Sequence, residues 1–269
     1  MMKIKLYSWY DHFTLTQTPK FIEWTKADAP ITFYSDSYVL DAQYGAIEKN
    51  ACALLIEPRS IQPHIYEYIE SNYHKFKYVF THDSKLLEVC DNAKQIYWGG
   101  VYEFNDEPKT KDISMVSSDK RMCELHVKRL ELAKKLENKI DCMGTYNHGS
   151  KVDTKTIYAP YRFSVVIENY IDDYWFSEKI CNCFANKCVP IYYGARKIND
   201  IFDGKGIIQV SNIEQIETII DKLRPDFAYD IRKEFIEENY RRVKQFTCFE
   251  DNFYLQYKDL LEELENDSK

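Results

Sequence analysis

The sequence predicts an α/β chain of two similar domains, each a parallel sheet wrapped by helices. Short apolar runs alternate with segments of helical period along all 269 residues, which is the pattern of strands followed by crossover helices. The alternation breaks at "YEFNDEPKTKD" (residues 102–112), a polar stretch that contains Pro108 and has no period; such a stretch reads as a linker. Domains are therefore expected at 1–110 and 111–269. Two such halves joined by a hinge place a cleft between the carboxyl ends of their sheets, where open sheets bind ligands.

In the first half "KIKLYSW", "ITFYS", "ACALLIE", "YVFTH" and "KQIYW" read as strands. "QPHIYEYIESNYHKF" keeps Ile65, Tyr68, Ile69 and Tyr73 on one helical face, and "DSKLLEVCDNA" is a shorter helix opened by an Asp or Ser cap. In the second half "ISMVSS", "IDCMG", "FSVVIEN", "VPIYYG" and "GIIQV" are strands, with helices over "RMCELHVKRLELAKKLENK" and "SEKICNCFANK". The tail, from "IEQIETIIDKL" to "YLQYKDLLEELE", shows Glu→Lys and Glu→Arg spacing and reads as solvated amphipathic cover.

Composition excludes several classes. With 45% hydrophobic and 29% charged residues the chain is globular rather than disordered. A net charge of −7 argues against broad nucleic-acid binding. No run reaches the roughly 18 apolar residues of a membrane span, and "MMKIKLYSWYDHF" is no signal peptide, so a soluble, cytoplasmic protein is expected. Eight cysteines without a CxxC pair read as reduced, buried thiols.

The chemistry concentrates in "YRFSVVIENYIDDYWFSEK" (161–179). Three consecutive apolar residues, Val165 to Ile167, make a fully buried parallel strand whose carboxyl end delivers Glu168 and Asn169. Ser177 then caps a helix that begins at Glu178 and Lys179. A helix start offers free N–H groups and partial positive charge to a phosphate, and Lys179 reinforces it. Glu178 is placed to accept hydrogen bonds from sugar hydroxyls. The plainer alternative is that Glu178 serves the helix dipole and Lys179 is solvated.

The run "YRFSVVIENYIDDYWFSEKICNCFANKCVPIYYG" resembles the signature of the α-1,3-fucosyltransferase family: a Y-K/R-F-x-x-x-F-E-N segment, an aromatic stretch with T/S-E-K, then V/I-P-I/V-x-x-G. "SSDKRMCELHVKRLELAKKL" resembles the family's Ser- and Lys-bearing segment followed by a helix with a phosphate-binding Arg, which falls on Arg129. The resemblance covers residues 113–212. It implies a GT-B fold, two Rossmann-like parallel-sheet domains facing a central cleft, and inverting transfer of fucose from GDP-fucose to a glycan acceptor with no metal or other cofactor. Arg129 and Lys179 are then expected to hold the diphosphate, Glu178 the donor's hydroxyls, and Asn169 and Trp175 other parts of the donor. Glu168, Tyr174, Ser118, Lys120 and His126 are further candidates around that site. At Arg162 the chain has the less common of the two residues, and it departs from the pattern at Ile167 and in the loop "YIDDYWF".

An inverting transfer needs a base. The resemblance places it on Glu57 in "ALLIEPRS", where Pro58 biases Glu57 to an extended conformation at a strand end. Asp11 and Asp36, each just past an early strand, are rival bases, and His82 is a candidate for orienting ligand. Other donors, such as a UDP-pentose, remain open. So does an inactive relative that only binds a nucleotide sugar or glycan, although such a module has no need of diphosphate contacts. Carboxylates in "IDDY" point apart in an extended loop, so no metal site is expected there.

Overall fold

The structure is a computed structural model that describes residues 1–14, 16–44, 47–48 and 50–267. The chain forms two compact units: Met1–Trp98 with Cys248–Lys269, and Gly99–Thr247.

The first unit is built on six parallel strands, β1 (Met2–Tyr7), β2 (Ile22–Thr25), β3 (Ile31–Ser35), β4 (Ala51–Leu54), β5 (Tyr78–Thr81) and β6 (Ala93–Gln95). Their order is β2-β1-β3-β4-β5-β6, with pairs such as Ile4 to Ile31 and Phe33 to Cys52 fixing register. Alternate residues serve opposite faces, as a pleated strand requires. Phe33, Leu54 and Phe80 pack on one face. Tyr34, Ala53 and Val79 face the other, where they meet α1 (Pro63–Asn72) and α2 (Ser84–Val89). Pro63 opens α1, and the Asp83 side chain caps α2 by accepting from Leu86 N–H at 2.9 Å. Two local expectations are corrected. β2 carries a single buried residue and no apolar run, so no pattern announces it. On α1 it is Tyr66, not Tyr68, that is buried with Ile65 and Ile69.

The second unit has five parallel strands, β7 (Lys111–Val116), β8 (Asp141–Met143), β9 (Tyr161–Ile167), β10 (Val189–Tyr193) and β11 (Ile208–Gln209), ordered β11-β10-β9-β7-β8. Helices α3 (Glu124–Leu136), α4 (Thr154–Tyr158) and α5 (Glu178–Ala185) connect them, and α6 (Gln215–Lys222), α7 (Pro225–Asp230) and α8 (Lys233–Arg242) follow. Phe163, Val165, Ile167, Val189 and Ile191 interleave with Leu132 and Leu136 of α3 in one core. β9 is central, flanked on both sides, so its carboxyl end is rigidly held.

The domain boundary and the tail differ from the sequence reading. The division falls at Trp98/Gly99 rather than after residue 110, because the polar segment is strapped to the second unit. Tyr102 N–H donates to Asn182 Oδ1 at 2.8 Å, Asn105 N–H to Ala185 O at 3.0 Å, and Lys109 Nζ to Ala159 O at 2.7 Å and to Asn186 O. Its polarity satisfies the end of α5 rather than water. The last helix, α9 (Phe249–Asn266), returns to the first unit. Phe249, Phe253, Leu261 and Leu264 complete that sheet's core. Glu250, fully buried, accepts from Phe13 N–H at 2.9 Å and Trp24 Nε1 at 3.1 Å. It is therefore core, not solvated cover.

Candidate functional site

The second unit gathers its charge at the carboxyl end of β9. Glu168 continues the strand, its N–H donating to Tyr193 O at 3.0 Å, and its side chain is fully buried. That carboxylate points inward. It accepts from Ser177 N–H at 3.0 Å and Ser177 Oγ at 2.7 Å, and it stands 3.7 Å from Lys179 Nζ. Ser177 caps α5 by accepting from Lys179 N–H. Glu168 thus fixes the helix start and supplies the internal counter-charge of Lys179, a role behind the site.

Gly194 of the V-P-I-x-x-G run makes this burial possible. A Cβ there would lie 2.3 Å from Tyr192 Oη and 2.7 Å from Glu168 Cγ. No other residue fits without displacing the carboxylate. The Tyr192 hydroxyl accepts from Ala195 N–H at 3.0 Å.

Arg129, on the second turn of α3, is 6% exposed. Its Nη1 donates to Ile167 O and to Asn169 Oδ1, both at 3.1 Å, while its Nε is buried without a partner. Burial lowers its pKa from the ordinary value, and the Glu168 and Glu178 carboxylates oppose that fall. Lys179 is 21% exposed on its side chain and donates to Ser177 Oγ at 3.0 Å and to Glu178 Oε1 at 3.3 Å. Burial works against its charge, but Glu178 and Glu168 outweigh burial and raise its pKa. Glu178 is also opposed by burial, and Lys179 brings its pKa below the usual range. Burial raises Glu168, against the pull of Lys179. Lys179 thus pairs with two carboxylates, Glu178 and Glu168, and the same two also favour the charge on Arg129.

His126, one turn before Arg129, is buried and accepts Met122 N–H at Nδ1, 3.2 Å away. Burial first, then Arg129, Lys179 and Lys120, hold its pKa down at about 4, with Asn169 opposing. Lys120 is exposed and Ser118 half-buried in the loop before α3. Two further candidates sit in the loop before α5. Trp175 is 4% exposed and belongs to the core. Tyr174 stacks its ring on Lys197, whose Nζ is 5.1 Å from the centroid. The paired acids of "IDDY" are taken by Arg196 and Lys197: Asp173 Oδ1 accepts Arg196 Nε at 2.7 Å and Oδ2 pairs with Lys197 at 2.8 Å.

In the first unit, the carboxyl ends of β3, β4 and β5 bring together Asp36, Glu57 and His82. Glu57 is half-buried, and its peptide is gripped on both sides. Asp36 Oδ1 accepts the N–H of Ile56 at 2.8 Å and of Glu57 at 3.1 Å, and Tyr66 Oη donates to Glu57 O at 2.6 Å. Asp36 is buried at φ +49°, in the left-handed region that Asp tolerates better than most residues. Burial raises its pKa to about 7, against the two backbone N–H donors, and the nearby Glu57 adds to the rise. His82 Nε2 lies 3.2 Å from the same Tyr66 hydroxyl. Arg59 forks onto Asp83 at 2.8 and 2.7 Å and reaches Glu70 at 2.7 Å. Asp11 stands apart on an exposed loop, 3.6 Å from Lys26.

Residues 107–230 match glycosyltransferase family 10 (fucosyltransferase), C-terminal part. This segment belongs to that family. No curated protein matches the chain by sequence. Among solved structures, an α1,3-fucosyltransferase with GDP is 14% identical, covering 93% of this chain and 92% of that one at a TM-score of 0.58. An α1,3-fucosyltransferase with GDP-fucose is 13% identical over 98% and 90%, also at 0.58. HepE of Anabaena in complex with UDP-glucose is 10% identical over 87% and 79%, at 0.59. At these identities the likeness is one of fold: two parallel-sheet α/β domains of the GT-B glycosyltransferase type.

The family 10 segment contains Arg129, Asn169, Trp175, Glu178 and Lys179, and all but Trp175 meet in the cluster around Glu168. Among the described residues no helix is long and apolar enough to cross a membrane. Sequence reasoning passed over Tyr66 and Gly194. Tyr66 left no signal, since a Tyr on an amphipathic helix is ordinary. Gly194 stood in the motif, but its reason is the Tyr192 hydroxyl and Glu168 packed where its side chain would be.

Proposed function

We propose that the chain is an inverting glycosyltransferase that moves a sugar, fucose favoured, from a nucleoside diphosphate to a glycan hydroxyl. The observation that carries this reading is the pairing of Arg129 and Lys179 around Glu168 at the end of β9, inside the family 10 segment. The neighbours crystallised with GDP and GDP-fucose make guanosine the first base to test.

The acceptor oxygen attacks the anomeric carbon as the bond from that carbon to the β-phosphate oxygen breaks. The leaving diphosphate keeps the electron pair, and Lys179 and Arg129 stabilise the charge it gains. The acceptor's proton goes to Glu57, whose peptide is gripped by Asp36 and Tyr66. Glu178 accepts from donor hydroxyls. The leaving charge is met by the chain's own cations, so no metal is assigned a step.

The test is nucleotide release from a panel of GDP- and UDP-sugars with glycan acceptors, with and without EDTA. Release from one donor class, unaffected by EDTA and lost in Lys179→Ala, is expected. A wild-type chain that releases nothing from the panel, and whose melting temperature no nucleotide raises, overturns the reading.

A further inference from the structure

Just beyond β4, Leu55 N–H still donates to Phe80 O of β5 at 2.9 Å. Ile56 and Glu57 follow outside the strand, and Pro58 brings no N–H of its own. Backbone groups shielded from water still need partners. Side chains supply them here: Asp36 Oδ1 takes the N–H of Ile56 and of Glu57, and Tyr66 Oη meets Glu57 O at 2.6 Å. The peptide that carries the proposed base is thus held by side-chain bonds where the strand has ended.

The proton of the Tyr66 hydroxyl is placed by its neighbours. A carbonyl oxygen only accepts, so at 2.6 Å the hydroxyl donates to Glu57 O. His82 Nε2 lies 3.2 Å from the same hydroxyl oxygen. With the phenol's one proton committed, Nε2 donates into its lone pair, and the ring carries a proton on Nε2. The three residues form a directed chain, from His82 Nε2–H to the Tyr66 hydroxyl to the Glu57 carbonyl. A hydroxyl that accepts one hydrogen bond is a stronger donor of the next.

The chain is rooted in rigid structure. Tyr66 and His82 are both fully buried. The Arg59 guanidinium sits over the Tyr66 ring, 4.8 Å from its centroid, and forks onto Asp83, the residue after His82. Asp83 in turn caps α2. One guanidinium therefore braces the phenol from the end of β5, where the imidazole is also rooted.

We propose that His82 is a positioning residue for Glu57, its Nε2–H holding the Tyr66 hydroxyl on the Glu57 carbonyl so that the Glu57 carboxylate keeps the orientation that proton removal needs. The proposal rests on the transferase reading above and deepens it at the base.

The test is turnover by the full chain, with the donor and acceptor that the sugar panel yields, in wild type, Tyr66→Phe, His82→Phe and the double variant, each also combined with Glu57→Gln. Each single change should lower kcat about tenfold, the scale of one buried hydrogen bond, while donor KM and calorimetric GDP affinity stay as in wild type. The double variant should be no slower than Tyr66→Phe, because His82 acts through that hydroxyl. His82→Gln, which keeps an N–H donor near the place of Nε2–H, should recover most of kcat. Neither Tyr66→Phe nor His82→Phe should slow Glu57→Gln further, which separates positioning of this base from general loosening of the fold. Long-range proton–nitrogen NMR of wild type should show Nε2–H on His82, with its resonance displaced in Tyr66→Phe. An Nδ1–H tautomer, additive losses or an unchanged kcat in folded Tyr66→Phe each overturn the proposal. Where His82→Phe does not fold, Tyr66→Phe, His82→Gln and the NMR decide. Full turnover in Glu57→Gln, or none in wild type, removes the transferase reading at Glu57 and the proposal together. Loss of turnover in Glu57→Gln beside undiminished kcat in His82→Phe removes the proposal alone.

Discussion

At the end of β9 in the second unit, two buried or half-buried cations are held against carboxylates, and a neutral histidine stands between positive groups. At the ends of β3 and β4 in the first unit, a carboxyl is buried on backbone N–H groups, and Arg59 is consumed by Asp83 and Glu70. The same local geometry, a parallel strand ending in a polar turn, carries opposite electrostatics in the two units. Cations whose counter-ion lies behind them suit a group that gains negative charge. A carboxylate on a clamped peptide suits proton removal. The contrast assigns each unit one half of the proposed transfer, and it can be broken from either side.

Breaking the first unit's half has the largest expected effect. Glu57→Gln should lower turnover by about 10²- to 10⁴-fold, the contribution of a general base, while calorimetric GDP affinity stays unchanged. Equal turnover in that variant moves the base to Asp36. On the second unit, Lys179→Ala should weaken GDP by about 10- to 100-fold through loss of a charged donor. It should also destabilise the fold by about 3 kcal/mol, because Glu168 is left buried and unpaired. Adding Glu168→Gln should restore much of the melting temperature and none of the GDP affinity, which separates the structural carboxylate from the ammonium proposed to meet the donor.

These two ends were unequally legible in the sequence. Glu168 to Lys179 could be read because a buried strand, an N-cap and a charged first turn follow one another within a dozen positions of chain. Inward-facing Glu168 could not be told from partly exposed Glu178, since both follow the same rule of emerging past a strand or at a helix start. What separates them is the space left by Gly194, fixed by a neighbouring strand. The burial of Trp175 was hidden for a similar reason: an aromatic in a polar loop carries no sign that the fold covers it. In the first unit, Glu57 was marked by Pro58, whereas the Asp36 and Tyr66 clamp joins residues from β3, β4 and α1 whose spacing says nothing of contact. The tail helix α9 shows the limit at fold level. Its charged face was visible, but the sheet that takes its apolar face lies more than 150 residues upstream.

The contrast sharpens in pH. His126 has a folded pKa near 4 against an ordinary 6.5, so the unfolded chain takes that proton first on acidification. Its contribution to stability is present above pH 6.5 and is lost as pH falls toward 4, by about 3 kcal/mol in total. Asp36 runs the other way. Its folded pKa near 7 exceeds the ordinary 3.8, so its contribution is full at low pH and is lost as pH rises through 7. Chemical denaturation across pH 4 to 8 should therefore show His126→Phe flattening the acid side and Asp36→Asn raising stability on the alkaline side. Gly194→Ala comes next in size. Its new methyl would press on Tyr192 and Glu168, costing about 1–3 kcal/mol at all pH values and lowering GDP affinity through the displaced Glu168.

The smallest effect tests whether the first unit takes the glycan of the proposed transfer. Trp9 is 76% exposed, yet its orientation is set: Nε1 donates to Ser37 Oγ at 2.8 Å, and its ring lies 5.5 Å from that of Tyr38. With the indole N–H satisfied by the protein, the face left to solvent is apolar, which fits the C–H face of a sugar ring. Ser37 directly follows Asp36, whose carboxyl holds the Glu57 peptide, so this aromatic and the proposed base hang from one short segment. Trp9→Ala should raise the acceptor KM by about fivefold, near 1 kcal/mol of lost stacking. Donor KM and melting temperature should be unchanged, because an exposed side chain contributes little to stability. Trp9→Phe should recover most of the loss. A shift in donor KM instead would attach Trp9 to the nucleotide and undo the division of labour between the two sheet ends.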